Sequence, residues 1–185
     1  MLDELFLETE EKMQGAVDHL RHEFSVLRTG RASTGLLENI KVNYYGSLTP
    51  IQQVANISIP EARLLVIQPW EKNMLSPIEK AIQASELGLN PINDGQLIRV
   101  PIPAMTDERR KEMVRIVHKM TEDARISVRN ARRDANESIK KMEKEGELSK
   151  DNAADGLDQV QEETNKFIEK LDELMKHKEK EILED

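Results

Sequence analysis

The sequence predicts a mainly α-helical protein in which a small α+β domain is inserted into a long three-helix bundle. Three stretches carry apolar residues three or four positions apart, the spacing that lines one face of a helix at about 3.6 residues per turn. Between the first and second stretches the period drops to two and turn residues multiply. A helix with one apolar stripe needs neighbours to cover it, so three such helices without a tight sequence repeat close on one another. The chain has 185 residues, enough for one ordinary domain or two small ones.

The first helix uses Leu2, Leu5, Phe6, Thr9, Met13, Ala16, Val17, Leu20, Phe24 and Leu27. It stops near Thr29-Gly30, where glycine can adopt the left-handed conformation that ends a helix. Gly15 inside it costs about 1 kcal/mol relative to alanine, which the pattern on both sides outweighs. Residues 37–44 alternate as a half-buried strand ahead of a Gly46-Ser47 turn. Further strands fall at 54–59 and 64–68, separated by Pro60-Glu61-Ala62. Ser76-Pro77 opens a short helix through Ser85, with serine as cap and proline at the first helical position. Gly88, Pro91 and Asp94-Gly95 lead to a last strand at 97–100.

The second long helix covers residues 107–142, about 36 residues and so about 54 Å. Met113, Val117, Met120, Ala124, Ala131, Ala135, Ile139 and Met142 form its apolar stripe. The third helix follows Ser149 as N-cap and carries Ala153, Leu157, Val160, Thr164, Phe167, Leu171, Leu174, Lys178 and Ile182. Lys178 fits that stripe only if the end frays or its stem snorkels, and Gly156 is a weak point. The expected division is a discontinuous bundle of residues 1–30 and 104–185 around an insert of residues 31–103. Two short crossings, Arg28-Thr29-Gly30-Arg31 and Pro101-Ile102-Pro103-Ala104, join the parts and are expected to act as a hinge.

Charge is distributed unevenly. The net charge is -8, yet residues 109–133 hold nine Lys/Arg against Glu112, Glu122 and Asp123, while the segment from Gly146 onward holds thirteen Asp/Glu against six lysines. Projected at roughly 100° per residue, Lys111, Arg115, His118, Arg125, Arg129, Arg132, Asn136 and Lys140 fall nearly opposite the apolar stripe. An acidic protein that gathers arginines on one helix face has a polyanion to meet there, and its acidic helices oppose indiscriminate sticking.

Several classes of chemistry are excluded or disfavoured. The chain has no cysteine, which removes disulfides, thiolate metal sites and cysteine nucleophiles. No apolar run approaches the roughly 20 residues that span a bilayer. The acidic, immediately helical N-terminus is unlike a secretory signal or a transit peptide, so the cytosol is expected. Gly30, Gly46, Gly88 and Gly95 lack the spacing of a phosphate loop. His19 with His22 and His118 with Glu122 have metal-compatible spacing but no third ligand, so no metal or cofactor is expected. Trp70 and the Tyr44-Tyr45 pair are expected to serve core or turn packing rather than base stacking.

Several motifs recur in one order over nearly the full length. They are Leu27-Arg28-Thr29-Gly30-Arg31-Ala32-Ser33, Tyr44-Tyr45-Gly46, Glu79-Lys80-Ala81-Ile82, Leu87-Gly88-Leu89-Asn90-Pro91 and Ile98-Arg99-Val100-Pro101. With Thr106-Asp107-Glu108-Arg109-Arg110-Lys111 and the run from Ala124-Arg125 to Val128-Arg129-Asn130-Ala131-Arg132-Arg133-Asp134-Ala135, the chain resembles the ribosome recycling factor family. Beyond about residue 147 the likeness is one of helical register and charge. The resemblance implies an L-shaped, two-domain form with a hinged β/α/β domain. It also implies disassembly of the post-termination ribosome with elongation factor G, releasing mRNA and tRNA, with GTP hydrolysed by that partner. The family's RNA-facing arginines map onto Arg110, Arg129 and Arg132, with Arg133 adjacent. Met105 and Asp107 depart from the family's usual leucine and glutamate. Organellar relatives carry N-terminal extensions that this chain lacks, which favours a bacterial cytoplasmic protein.

The expected RNA-binding set is therefore Arg110, Lys111, Arg125, Arg129, Arg132 and Arg133, in a monomer without enzymatic activity of its own. The alternative is a structural helical adaptor whose arginines only solubilise it, paired locally as Glu122 with Arg125 or Arg129 with Asp134. A hydrolase is the remaining class, but no serine and histidine are paired as nucleophile and base and no carboxylate couple stands out.

Overall fold

The computed structural model describes residues 1–184. The chain forms two compact units, Met1–Phe24 with Glu112–Glu184, and Ser25–Lys111.

The first unit is a three-helix bundle built from α1 (Leu2–Val26), α3 (Asp107–Lys144) and α4 (Lys150–Leu183). Met13, Val17 and Leu20 of α1, Val117, Val128 and Ile139 of α3, and Val160, Phe167 and Leu171 of α4 are buried. Val128 fills the space between Ala124 and Ala131 that the sequence stripe left open, while Met120 and Met142 are only half-buried at its edge. Thr9, Thr121 and Thr164 are buried as well. Each hydroxyl donates to the carbonyl four residues back, at 2.7, 2.8 and 2.7 Å, so these three hydroxyls are satisfied within the core.

Gly156 proves to be a packing feature. A Cβ at that position would stand 3.4 Å from Ile139 Cδ1 and 3.7 Å from Leu2 Cδ2, so the glycine is where α1, α3 and α4 approach closely. Ser149 caps α4, its Oγ accepting from the Asn152 amide at 3.1 Å. Lys178 sits in unbroken helix with 12% of its side chain exposed and its Nζ 3.2 Å from Glu181, the snorkelling outcome rather than the frayed one.

The second unit holds a β1–β2 hairpin (Lys41–Tyr44, Ser47–Pro50) and a four-stranded antiparallel sheet ordered β3-β4-β6-β5. The sheet strands are Ala55–Glu61, Leu64–Pro69, Ile92–Asn93 and Ile98–Pro101. Helix α2 (Leu75–Ala84) contributes Ile78 and Ile82 to a core shared with Leu37, Ile51, Leu65, Ile67 and Ile98.

Four local expectations change here. The strand expected over residues 37–44 begins only at Lys41, because Ser33 Oγ accepts from the Gly35 amide and starts a 3-10 turn that takes in Leu37. Pro60 and Glu61 belong to β3, where a register shift after Ser58 accommodates proline on an edge strand. Helix α2 begins at Leu75 after a 3-10 turn at Lys72–Met74, so Ser76 lies inside the helix and Met74 occupies the cap without a side-chain bond. Strands β2 and β5 were not anticipated.

The two crossings are fastened to the same turn. The Ala32 amide donates to the Ala62 carbonyl at 2.7 Å and the Ile102 amide to the Arg63 carbonyl at 2.8 Å, adjacent residues between β3 and β4. Arg28 Nη2 donates to the Glu86 carbonyl at 2.8 Å, and Gly30 is buried with φ +81°. A cavity of about 420 Å³ lies beside both crossings, lined by Arg28, Gly30, Leu89, Ile102, Pro103 and Arg109 among others. Among the described residues no helix is long and apolar enough to cross a membrane.

Candidate nucleic-acid interface

Helix α3 carries every residue of the expected RNA-binding set. Its start is secured by Thr106, whose Oγ1 accepts from the Arg109 amide at 3.2 Å. Beyond it Asp107 and Glu108 complement the positive end of the helix dipole. The Asp107 departure from the family pattern thus keeps a carboxylate where the helix favours one.

The arginines do not form a single row opposite the core. With the core direction set by Met113, Val117, Val128 and Ile139, Arg132 lies about 55° and Arg125 about 75° from it at about 100° per residue. On the same projection Arg129 lies about 110° away, and Arg133 and Arg115 about 150°. The expectation of a stripe nearly opposite the apolar face is corrected accordingly: Arg125 and Arg132 occupy its flank.

Arg125 is the most engaged of the set. With 20% of its side chain exposed, it donates from Nε to Asp172 Oδ1 of α4 at 3.0 Å, from Nη2 to the same oxygen, and from Nη1 to Glu122 Oε2 at 3.0 Å. Burial pushes the guanidinium pKa down, but the bonds to Asp172 and Glu122 outweigh it and the net shift is upward. Arg125 is held as a cation by carboxylates of two helices.

Arg129 is half exposed, and its Nη1 lies 3.0 Å from Glu122 Oε1. Glu122 therefore serves both arginines, and their hydrogen bonds, Arg125 first and Arg129 second, hold its carboxyl below the usual range. The anticipated Glu122–Arg125 pair is present, whereas Arg129 turns back to Glu122 and not forward to Asp134.

Arg132 and Arg133 are oriented by neutral amides. Arg132 Nη1 is 3.3 Å from Gln161 Oε1, and Gln161 is itself fixed by a 2.9 Å bond to Asn165. Arg133 Nη2 donates to Asn130 Oδ1 at 3.2 Å. These bonds aim the guanidinium forks without neutralising them, the arrangement suited to paired contacts with phosphate oxygens. Lys111, Arg115 and Lys140 are exposed and make no ion pair among the described residues. Arg110 is one-fifth exposed and stands 3.6 Å from Asp107.

Gln161, Asn165 and Asp172 were not nominated from sequence. They lie on α4, and no local spacing announces a contact across 29 or 47 residues. Among the other candidates, Trp70 is 67% exposed, so core packing is corrected for it. Tyr45 is a turn residue with φ +48°, followed by Gly46 at +86°, and its hydroxyl donates to Glu71 Oε2 at 2.8 Å. His19 pairs with Glu23 at 2.7 Å and His118 with Glu179 at 3.3 Å. No group of three metal-capable side chains occurs among the described residues.

Comparison with known proteins gives one answer. A family model described as Ribosome recycling factor matches residues 20–183. The chain is 51% identical over 184 residues to the ribosome-recycling factor of Syntrophomonas wolfei, covering 100% of both chains. It is 51% identical over 181 residues to that of Clostridioides difficile, covering 98% of each. Its structure is similar to a solution structure of the ribosome recycling factor, with TM-score 0.80, 47% identity and coverage of 100% of this chain and 98% of that one. It is also similar to a Thermus thermophilus ribosome recycling factor placed with Escherichia coli elongation factor G on the E. coli post-termination complex. That match has a TM-score of 0.72 and 45% identity over 99% of each chain.

Proposed function

The chain belongs to the ribosome recycling factor family, and on that premise we propose that its α3 arginine face seats it on the RNA of the large ribosomal subunit. The observation that carries this reading is the pair Arg132 and Arg133, oriented by Gln161 and Asn130 with no ion pair to a carboxylate among the described residues. Arg129, Lys111 and Arg110 extend the contact along the same helix. Arg125 serves the bundle instead: clamped between Glu122 and Asp172, it fixes the platform from which Arg129 projects.

Elongation factor G is the motor partner in this reading, supported by the similar protein placed with it on a post-termination complex. The bundle anchors and the motor acts on the smaller unit, so that GTP hydrolysis, performed by the partner, is turned into separation of the subunits and release of mRNA and tRNA. The factor has no catalytic step of its own and acts as a cytoplasmic monomer. The crossings at Arg28, Thr29, Gly30, Arg31 and at Pro101, Ile102, Pro103, Ala104 are the proposed hinge. Support comes from the shortness of the two connections and from the single β3–β4 turn to which Ala32, just past the first, and Ile102, in the second, are bonded.

Sedimentation with isolated subunits tests this. Co-pelleting with the large subunit that is lost as salt rises is the expected result. Failure to pellet at low salt, or binding indifferent to salt, would favour a helical adaptor whose arginines only solubilise it.

A further inference from the structure

The Glu122 carboxylate lies on the exposed side of α3 and bridges Arg125 and Arg129, 3.0 Å from each. Its two arginines are not equivalent. Arg125 has Asp172 as a second counter-ion and is largely shielded from solvent, so its charge is balanced whether or not Glu122 is present. Among the described residues Arg129 pairs with Glu122 alone, and at 48% side-chain exposure it is the more open of the two to a polyanion.

Resting on the reading of this face as an RNA-binding surface, we propose that Glu122 is a selectivity-determining residue, a resident anion that RNA must displace before Arg129 is engaged. The two ends of the face then differ. Arg132 and Arg133 are hydrogen-bonded to neutral amides, whereas Arg129 is paired with a fixed negative charge. An unstructured RNA that offers isolated phosphates loses attraction to that charge. A folded target that seats Arg132 and Arg133 first holds a phosphate beside Arg129 at high effective concentration and replaces the carboxylate. Specificity arises because the unwanted partner is repelled as well as the wanted one attracted. The depressed carboxyl pKa supports this, since Glu122 stays ionised throughout the neutral range.

The test compares full-length wild type, Glu122→Gln, Glu122→Ala, Arg129→Gln, Arg132→Gln and the Glu122→Gln/Arg129→Gln double variant, with polyuridylate and the isolated large subunit as targets. Circular dichroism on each variant confirms that the helices are retained. Both Glu122 variants are expected to tighten polyuridylate binding about threefold or more, the size of one exposed charge contact, with a smaller change on the large subunit. The gain should disappear when Arg129 is glutamine.

No gain, an equal gain on both targets, or a gain that persists without Arg129 would each overturn the proposal. If Arg129→Gln and Arg132→Gln both leave large-subunit binding at the wild-type level, the reading of the face has failed and the proposal with it. If those variants weaken binding while the Glu122 variants show no gain, the face stands and the role of Glu122 alone is refuted.

Discussion

Arg125 of α3 and Asp172 of α4 are joined by two hydrogen bonds to one carboxylate oxygen, with the Arg125 Nε at 3.0 Å. The link ties the middle helix of the bundle to the last one on the flank where the arginine face begins. Charge-assisted bonds at a partly buried site are worth more than a surface pair, and half-exposed Asp172 moderates the value. Arg125→Ala should therefore destabilise the protein by about 1–2 kcal/mol, read as a drop of a few degrees in a thermal melt. Arg129→Ala, at a half-exposed position, should leave the melt within about 0.5 kcal/mol of wild type.

Acid stability of the smaller unit should depend on Asp94. This carboxylate accepts from the amides of Leu97 and Gln96, both at 2.9 Å, and from Arg99 at 2.6 Å. Those bonds, the backbone ones first, lower its pKa from 3.8 to about 2. A group depressed in the folded state stabilises above its unfolded pKa and loses that contribution as pH falls toward the folded value. The effect should be complete above about pH 5 and vanish between about pH 4 and 2. Asp94→Asn should be less stable than wild type at neutral pH and converge with it near pH 2 in pH-dependent denaturation.

Two glycines should respond oppositely to alanine. Gly15 is exposed inside α1 with nothing within 4 Å of an added Cβ, so Gly15→Ala should stabilise by about 0.5–1 kcal/mol through helix propensity. At Gly35 the Cβ would fall 2.2 Å from the Ser25 carbonyl oxygen, a backbone atom that cannot swing aside. Gly35→Ala should lower stability well beyond the Gly15 gain in the same denaturant titration.

Much of this architecture was legible in the chain because long amphipathic helices announce themselves through a period that local sequence carries. Helix α1 ends at Val26, short of the stop expected near Thr29-Gly30, but Ser149 as a cap and the span of α3 follow from residues within a turn or two. The short strands did not, since β2 and β5 owe their existence to partners across a turn and not to their own composition. The candidate interface was half legible. Helical spacing found the arginines, but the partners that Arg125 and Arg132 meet on the flank, Asp172 and Gln161 of α4, are contacts set by packing and invisible to spacing.

The proposed hinge can be tested with a chain that has no natural cysteine. One cysteine placed in residues 28–31 and one in residues 101–104, oxidised to a disulfide, should leave docking on the large subunit unchanged and abolish subunit splitting. Reduction should restore it. Splitting at the wild-type rate with the lock closed would show that movement at the crossings is not required.

The central claim is that an exposed guanidinium face of α3 recognises ribosomal RNA, and Arg132 is its most direct probe because its side-chain partner is a neutral amide. The deciding measurement is the affinity of Arg132→Glu for the isolated large subunit at moderate salt, with circular dichroism to confirm that the helices persist. A loss of about tenfold or more, the scale of reversing one phosphate contact, is the predicted result. Binding indistinguishable from wild type would contradict the account.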